Sequence, residues 1–459
     1  MSVAESKTYE FPEGEFTVDL HDLAAILLRE FLLSEPRFKF SRLLEISTGS
    51  VPVSCLPVDG QSWTYMAPPK IGYFLKTPEG FENFNAPPDS DSESEDESDT
   101  YSEDEDEDED GDEGENKGKG KDKSKSEDEN GNKDSRKDND KNVKTVPVHD
   151  EEKEKRRQHY NSLPPIEPSD FLDSDFRCSR ELDSEVVETI FWRVHTHNRN
   201  FLLHHALQIV LDTLPPKQTT LRIRTSSGDV LSTSPRSFII TEMDVNPLSL
   251  LYIANFERRP DYKVFKDVAV TINQYTHGEQ GIGLSYPWIS LTFVPSSKQT
   301  SPDEPPDADE IASENSPDDI SLDLCLPGLN SVRGLGHEIF ALEKSSIYHN
   351  KLLPKGCDAD ILPIHSSRID ALSPERAQPA HELAGRILTR LEKILITGQR
   401  YCAYCGKEDP KSQCSRCKGK NIYCGQTCQK KAWPYHKVWC KVDAESLADD
   451  QAIDGKKKE

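Results

Sequence analysis

Seven of the chain's eleven cysteines fall between Tyr401 and Cys440, and this cluster restricts the possible folds more than any other stretch. The candidate ligands are Cys402, Cys405, Cys414, Cys417, Cys424, Cys428, His436 and Cys440, separated by two, eight, two, six, three, seven and three residues. Tetrahedral structural zinc takes four protein ligands, so this set accommodates two ions with none left over. A C-x2-C turn lets both thiolates face one ion, as at Cys402/Cys405 and Cys414/Cys417. Cys424/Cys428 and His436/Cys440 are each spaced i, i+4, which stacks two ligands on one helix face. Pro434 lies between these pairs and suits the first turn of a second short helix. The alternative, a disulfide-bonded knot, needs an oxidising compartment. The opening residues MSVAESKTYEFPEG lack the basic start and apolar core of a secretory signal, which points to reduced thiols holding metal. Cys55, Cys178, Cys325 and Cys357 are scattered and read as buried free thiols.

Ligand order narrows the choice of finger. A RING-type order would place its histidine nearer the middle, whereas here it is seventh of eight. The residues around the ligands resemble the MYND-type zinc finger: Tyr423-Cys424, Cys428-Gln429, Trp433, His436-Lys437 and Cys440 carry that family's second half. Cys402 to Cys417 fit its first half. The resemblance is limited to residues 402–440, and Pro434 directly after Trp433 departs from the pattern. It implies a cross-brace, with Cys402, Cys405, Cys424 and Cys428 on one zinc and Cys414, Cys417, His436 and Cys440 on the other. Both ions would be structural, because no coordination position stays open for water. Forty residues cannot build a sufficient core, so such a fold depends on its metal. The family's fingers grip short proline-containing peptides, which implies a groove built on Gln429 and Trp433. Trp433 could instead pack internally over the metal sites.

The rest of the chain is organised by composition. Net charge is -26, yet Asp89 to Glu115 alone holds 18 acidic residues in 27 positions without a single Lys or Arg. That tract opens a low-complexity segment, 89–164, read as a disordered acidic insert that suits a solvated spacer or a docking tail for basic partners. Ser90, Ser94 and Ser102 each precede an acid by three positions, which suits acidophilic kinases. Residues 1–88 read as a folded N-terminal segment, with Leu20, Leu23, Leu27 and Phe31 marking a helix over about 19–34. Residues 165–295 read as an α+β domain: two helices, around Val186–Val194 and Phe201–Leu214, precede a series of strand-like runs in a mainly antiparallel sheet. A flexible linker (296–319), an irregular segment (320–379), an amphipathic helix (380–400), the finger (401–441) and a polar tail (442–459) complete the order. The longest apolar run, Leu23 to Leu33, is broken by Arg29 and Glu30 and is too short to span a bilayer.

Motifs for catalysis are absent. No Asn-His-Ser-Cys signature of a SET methyltransferase occurs, HEIFA (His337–Ala341) lacks the second histidine of a zinc protease, and GIGLSYP lacks the closing glycine of a nucleophile elbow. His195, His197, His204 and His205 lie within eleven residues, but no carboxylate sits at metal-ligand spacing. Arg400 to Lys441 carries ten Lys or Arg against Glu408 and Asp409. Seven thiolates and two zinc ions leave this segment at about +5, enough to attract phosphate without specificity. It lacks a long recognition helix and an aromatic platform for bases, so peptide binding ranks ahead of nucleic acid. The sequence thus describes an α+β body, an acidic insert and a two-zinc finger in a nuclear or cytosolic adaptor. An enzyme with its site in the body, or a nucleic-acid binder, are the alternatives.

Overall fold

The computed structural model describes residues 8–39, 41–47, 71–76, 155, 158–159, 162–177, 181–196, 198–247, 251–258, 268–276, 286–295, 318–329, 331–358, 364–366, 368–369, 374–417 and 421–456. The acidic tract, Cys55, Cys178, His197 and most of the 296–319 linker lie outside these residues.

Strand β1 (Phe16–Asp19) runs directly into α1 (Leu20–Ser34). Asp19 is the N-cap, its Oδ1 accepting the His21 backbone N–H at 3.1 Å, which satisfies one of the orphan donors of the first turn. Leu20, Leu23, Leu27 and Phe31 are buried, and so are Ala24, Ala25, Ile26, Leu28 and Leu32 beside them. A helix apolar on nearly every side belongs inside a structure, and α1 lies within the hydrophobic core.

Strands β2 (Arg42–Ser47), β3 (Ile71–Lys76) and β4 (Leu172–Arg177) precede helices α2 (Ser184–Thr196) and α3 (Asn200–Thr213). Pro215-Pro216 stops α3, because neither residue can continue the hydrogen-bonded turn. Next come β5 (Thr219–Arg224), β6 (Val230–Thr233), β7 (Phe238–Pro247), β8 (Leu251–Arg258), β9 (Val268–Thr276), β10 (Tyr286–Phe293), β11 (Ile320–Asp323) and β12 (Ala341–Lys344). The short strands β13 (Cys357–Asp358) and β14 (Ile364–Ser366) lead to α4 (Pro374–Thr397). The finger supplies β15 (Ser412–Gln413), β16 (Ile422–Tyr423) and α5 (Gln426–Lys456).

Pairing ties distant segments together. β1 pairs in parallel with β5, which forms a hairpin with β6 across Ser226–Asp229, where Gly228 supplies a φ of 98°. A mixed sheet runs β4-β2-β3-β8-β9, and an antiparallel sheet runs β12-β11-β10-β7 with β13 and β14 also on β7. Residues before and after the acidic tract therefore share sheets, and one hydrophobic core takes in Leu27 of α1, Phe191 of α2, Leu207 of α3, Trp288 of β10 and Ile387 of α4. The amphipathic helix starts earlier than residue 380, at Pro374, a residue pre-set for a first helical turn. Its Leu383, Ile387 and Leu391 are buried while Ile394 is half-buried. Among the described residues no helix is long and apolar enough to cross a membrane.

The finger's second half differs from expectation in two details. Cys424 lies just before α5, not on it, and a single helix continues through Pro434 instead of breaking into two. Proline removes the N–H that would meet the Lys430 carbonyl. Lys430 is exposed, so water can take that bond, while buried Ala432, Tyr435, Trp439 and Cys440 hold both halves of the helix in place.

Candidate metal centre

Two turns and a hairpin bring the ligands together. Around Cys402 the Gly406 N–H reaches back to the Cys402 carbonyl at 2.9 Å, and Gly406 adopts a φ of 68°, a left-handed conformation that favours glycine. The β15–β16 pair delivers Cys414 and Cys424 at its ends, and α5 carries Cys428, His436 and Cys440. In this arrangement Cys402, Cys405, Cys424 and Cys428 form one group and Cys414, Cys417, His436 and Cys440 a second, the donor atoms of each lying within 4.8 Å of one another.

The spacing fits zinc. A tetrahedral ion with bonds of about 2.3 Å to sulfur places its thiolates about 3.8 Å apart, and an imidazole nitrogen slightly closer. Cys405 Sγ lies 3.5 Å from Cys424 Sγ and 3.9 Å from Cys428 Sγ. In the second group Cys414 Sγ is 3.8 Å from Cys440 Sγ, and Cys417 Sγ is 3.6 Å from His436 Nε2. Each group offers a sulfur-rich set of four protein ligands, the second fully buried and the first with Cys402 buried and the other three half-buried, the donor set of a closed structural site. The pairs interleave along the chain, first with third and second with fourth.

The residues 402–440 match the family model described as the MYND finger. This segment is a MYND finger. Its two Cys/His clusters fit two structural zinc ions, and such fingers are protein-interaction modules. The match covers under a tenth of the chain; no curated protein and no solved structure matches it.

What spacing does not reveal is how deeply the MYND finger is set into the body. On the α2 side, Glu188 is 5% exposed and its Oε2 accepts from Tyr404 Oη at 2.7 Å, Lys431 Nζ at 3.1 Å and Arg333 Nη2 at 3.2 Å. Burial, reinforced by the Glu188 carboxylate, holds the Tyr404 phenol well above its ordinary pKa and therefore a donor. On the α1 side, Tyr401 Oη donates to Asp22 Oδ2 at 2.7 Å, and Tyr435 stacks on His21 with ring centroids 3.7 Å apart. The backbone of Gly406 lies against α1, where an added Cβ would meet the Ala25 carbonyl at 2.5 Å. Its own carbonyl accepts from the Arg390 guanidinium of α4. At the β5–β6 turn, Trp439 Nε1 donates to the Thr225 carbonyl at 3.1 Å, and Arg224 lies over the Trp439 ring at 5.6 Å.

His21 sits at the centre of this seam. Burial alone would keep the imidazole neutral, but Asp22 and Glu338, each with an oxygen 3.7 Å from a ring nitrogen, outweigh it and push the pKa up to about 9. Sequence reasoning missed these docking residues. The available signal was Tyr435 and Trp439, spaced i, i+4 on α5 beside the ligands, more aromatic surface than so small a finger needs for itself.

Gln429 is half-buried, and Trp433 is 41% exposed with its ring edge-on to His436 at 5.9 Å. Trp433 therefore is not spent as an internal core residue. Among the described residues, His195, His204 and His205 form no metal-ligand group. His195 Nδ1 meets the Phe191 carbonyl at 2.6 Å, and His204 donates through Nδ1 to the Asn200 carbonyl while Nε2 accepts the Leu324 N–H. Burial holds His204 down to a pKa of about 4, so it stays neutral. Cys325 and Cys357 are buried free thiols.

Proposed function

We propose that this protein is a zinc-dependent adaptor whose body presents one face of a MYND finger for capture of proline-containing peptides, in a transcriptional or ubiquitin-ligase setting in the nucleus or cytoplasm. The observation that carries this reading is the contrast among three aromatic residues on one helix. Tyr435 and Trp439 are buried against the body, whereas Trp433 stays exposed beside the half-buried Gln429. An exposed rigid aromatic next to an adaptable amide is the pairing that grips an extended, proline-rich strand. The acidic tract Asp89–Glu115 adds a polyanionic segment with the charge to attract basic partners. The full-length, zinc-loaded protein should select proline-containing peptides from a library. Trp433→Ala and Gln429→Ala, at unchanged zinc content, should lose that selection. A zinc-loaded protein that captures no peptide, or a Trp433→Ala variant that captures the same ones, would overturn the reading.

A further inference from the structure

The exposed side of α5 carries more information than a single aromatic. Positions 426, 430, 433, 437 and 441 advance by steps of three or four, so they align along one helical face. They are Gln426, Lys430, Trp433, Lys437 and Lys441, and every one is exposed. Lys431, the remaining lysine of this stretch, points elsewhere and is committed to the buried Glu188. From Lys411 to Val442 the sequence contains no acid at all. The finger's two acids, Glu408 and Asp409, precede this stretch, and Glu408 lies 3.9 Å from Arg390 of α4. Among the described residues, Lys430, Lys437 and Lys441 form no ion pair of their own.

From this face we infer that the peptide partner of the finger is acidic: a proline-containing segment with Asp or Glu on both sides of the residue seated on Trp433. The inference rests on the peptide-capture reading and specifies the chemistry of its ligand. One helical residue advances about 1.5 Å, so Lys430 lies about 4.5 Å to one side of Trp433 and Lys437 about 6 Å to the other. An extended or polyproline-like strand advances about 3.1–3.4 Å per residue. Carboxylates within about two positions of the proline therefore fall in reach of both ammonium groups, with Lys441 engaging a further acid downstream. A neutral or basic peptide would leave this row of like charges uncompensated. A single aromatic face between isolated lysines is a poor platform for stacked bases, which need successive aromatics, so an acidic peptide fits it better than nucleic acid.

The test uses full-length, zinc-loaded protein and three fluorescent peptides that share one proline core. Their flanks carry Asp/Glu, Asn/Gln or Lys. Exposed charge pairs are individually weak, so the acidic peptide should bind roughly fivefold tighter than the neutral one at low salt. That advantage should vanish at about 0.5 M salt, where screening leaves little between exposed groups. A Lys430→Glu/Lys437→Glu double variant that retains its zinc should invert the order and prefer the Lys-flanked peptide. Equal affinity for acidic and neutral peptides, or an unchanged order in the double variant, overturns the inference while leaving peptide capture intact. Failure of all three peptides would instead remove the reading beneath it. A single-stranded oligonucleotide that binds more tightly than the acidic peptide, and still depends on Trp433, would assign the face to phosphate and overturn the inference as well.

Discussion

Removing Glu188 should loosen zinc sites that lie more than two hundred residues downstream. Its carboxylate is the buried acceptor for Tyr404 and Lys431 of the finger and for Arg333 of the body. Breaking a buried charged pair by deleting one partner costs about 3–5 kcal/mol. The lower end applies to Glu188→Ala. Arg333 keeps the Thr189 hydroxyl at 2.9 Å and the His337 carbonyl, and the Lys431 side chain, 18% exposed, can turn to water. About 3 kcal/mol is thus the expected loss. Two of the three donors belong to the finger, so about two-thirds of it, roughly 2 kcal/mol, falls on docking, which raises the undocked population about thirtyfold. Zinc release to a chromogenic chelator, followed by stopped flow beside urea unfolding of the same sample, measures both parts. Release accelerated about thirtyfold, with a reduced urea midpoint, is the predicted result. A lower midpoint with unchanged release would mean that the finger holds its metal independently of the body. No change in either would refute the network's contribution altogether.

Two further perturbations probe the same seam. Gly406→Ala forces a side chain into a left-handed backbone and drives a Cβ onto the Ala25 carbonyl. It should cost at least about 2 kcal/mol, counting conformation and clash together, read as a lowered urea midpoint and faster zinc loss. His21 faces Asp22, Glu338 and Tyr435 directly, with Asp19 and Arg224 nearby. Its folded pKa of about 9 lies above the ordinary 6.5, so its stabilisation is complete below pH 6.5 and is lost as pH rises through 9. The stability gap between wild type and His21→Gln, measured in matched buffers, should be widest near pH 6.5 and close above 9. A gap that widened with pH would show that His21 stays neutral in the folded chain.

The elements that local pattern governs were legible in the sequence. The i, i+4 spacing of Leu23, Leu27 and Phe31, the proline pair after Leu214 and the SSGD turn before Val230 are read from a few neighbouring residues. The ligand set belongs to the same class, because thiolate chemistry fixes spacing so narrowly that eight residues announce two ions. Pairing over long range was not legible. That Phe16–Asp19 pairs in parallel with Thr219–Arg224 follows from the core that α1 shares with α3 and α4, and no local periodicity encodes it. Pro434 misled for a related reason. Its propensity argues for a helix start, but buried neighbours on both sides override a cost that an exposed carbonyl keeps small. Glu188 reads as one charge among many on a helix until folding brings three donors to it.

One turn of α5 unites three roles, of which sequence reading assigns two and misses the docking of Tyr435. Trp433 faces outward, Tyr435 stacks on His21 of the body, and His436, adjacent to Tyr435, belongs to the second zinc group. The Trp433 ring also touches the His436 ring edge-on. An aromatic platform is useful for binding only if its rotamer and helix are held, and here both supports are structural: the metal fixes His436 from one side and the body fixes Tyr435 from the other. Peptide capture should therefore track zinc occupancy and body integrity together. A free finger would rely on its two ions alone to hold the same turn.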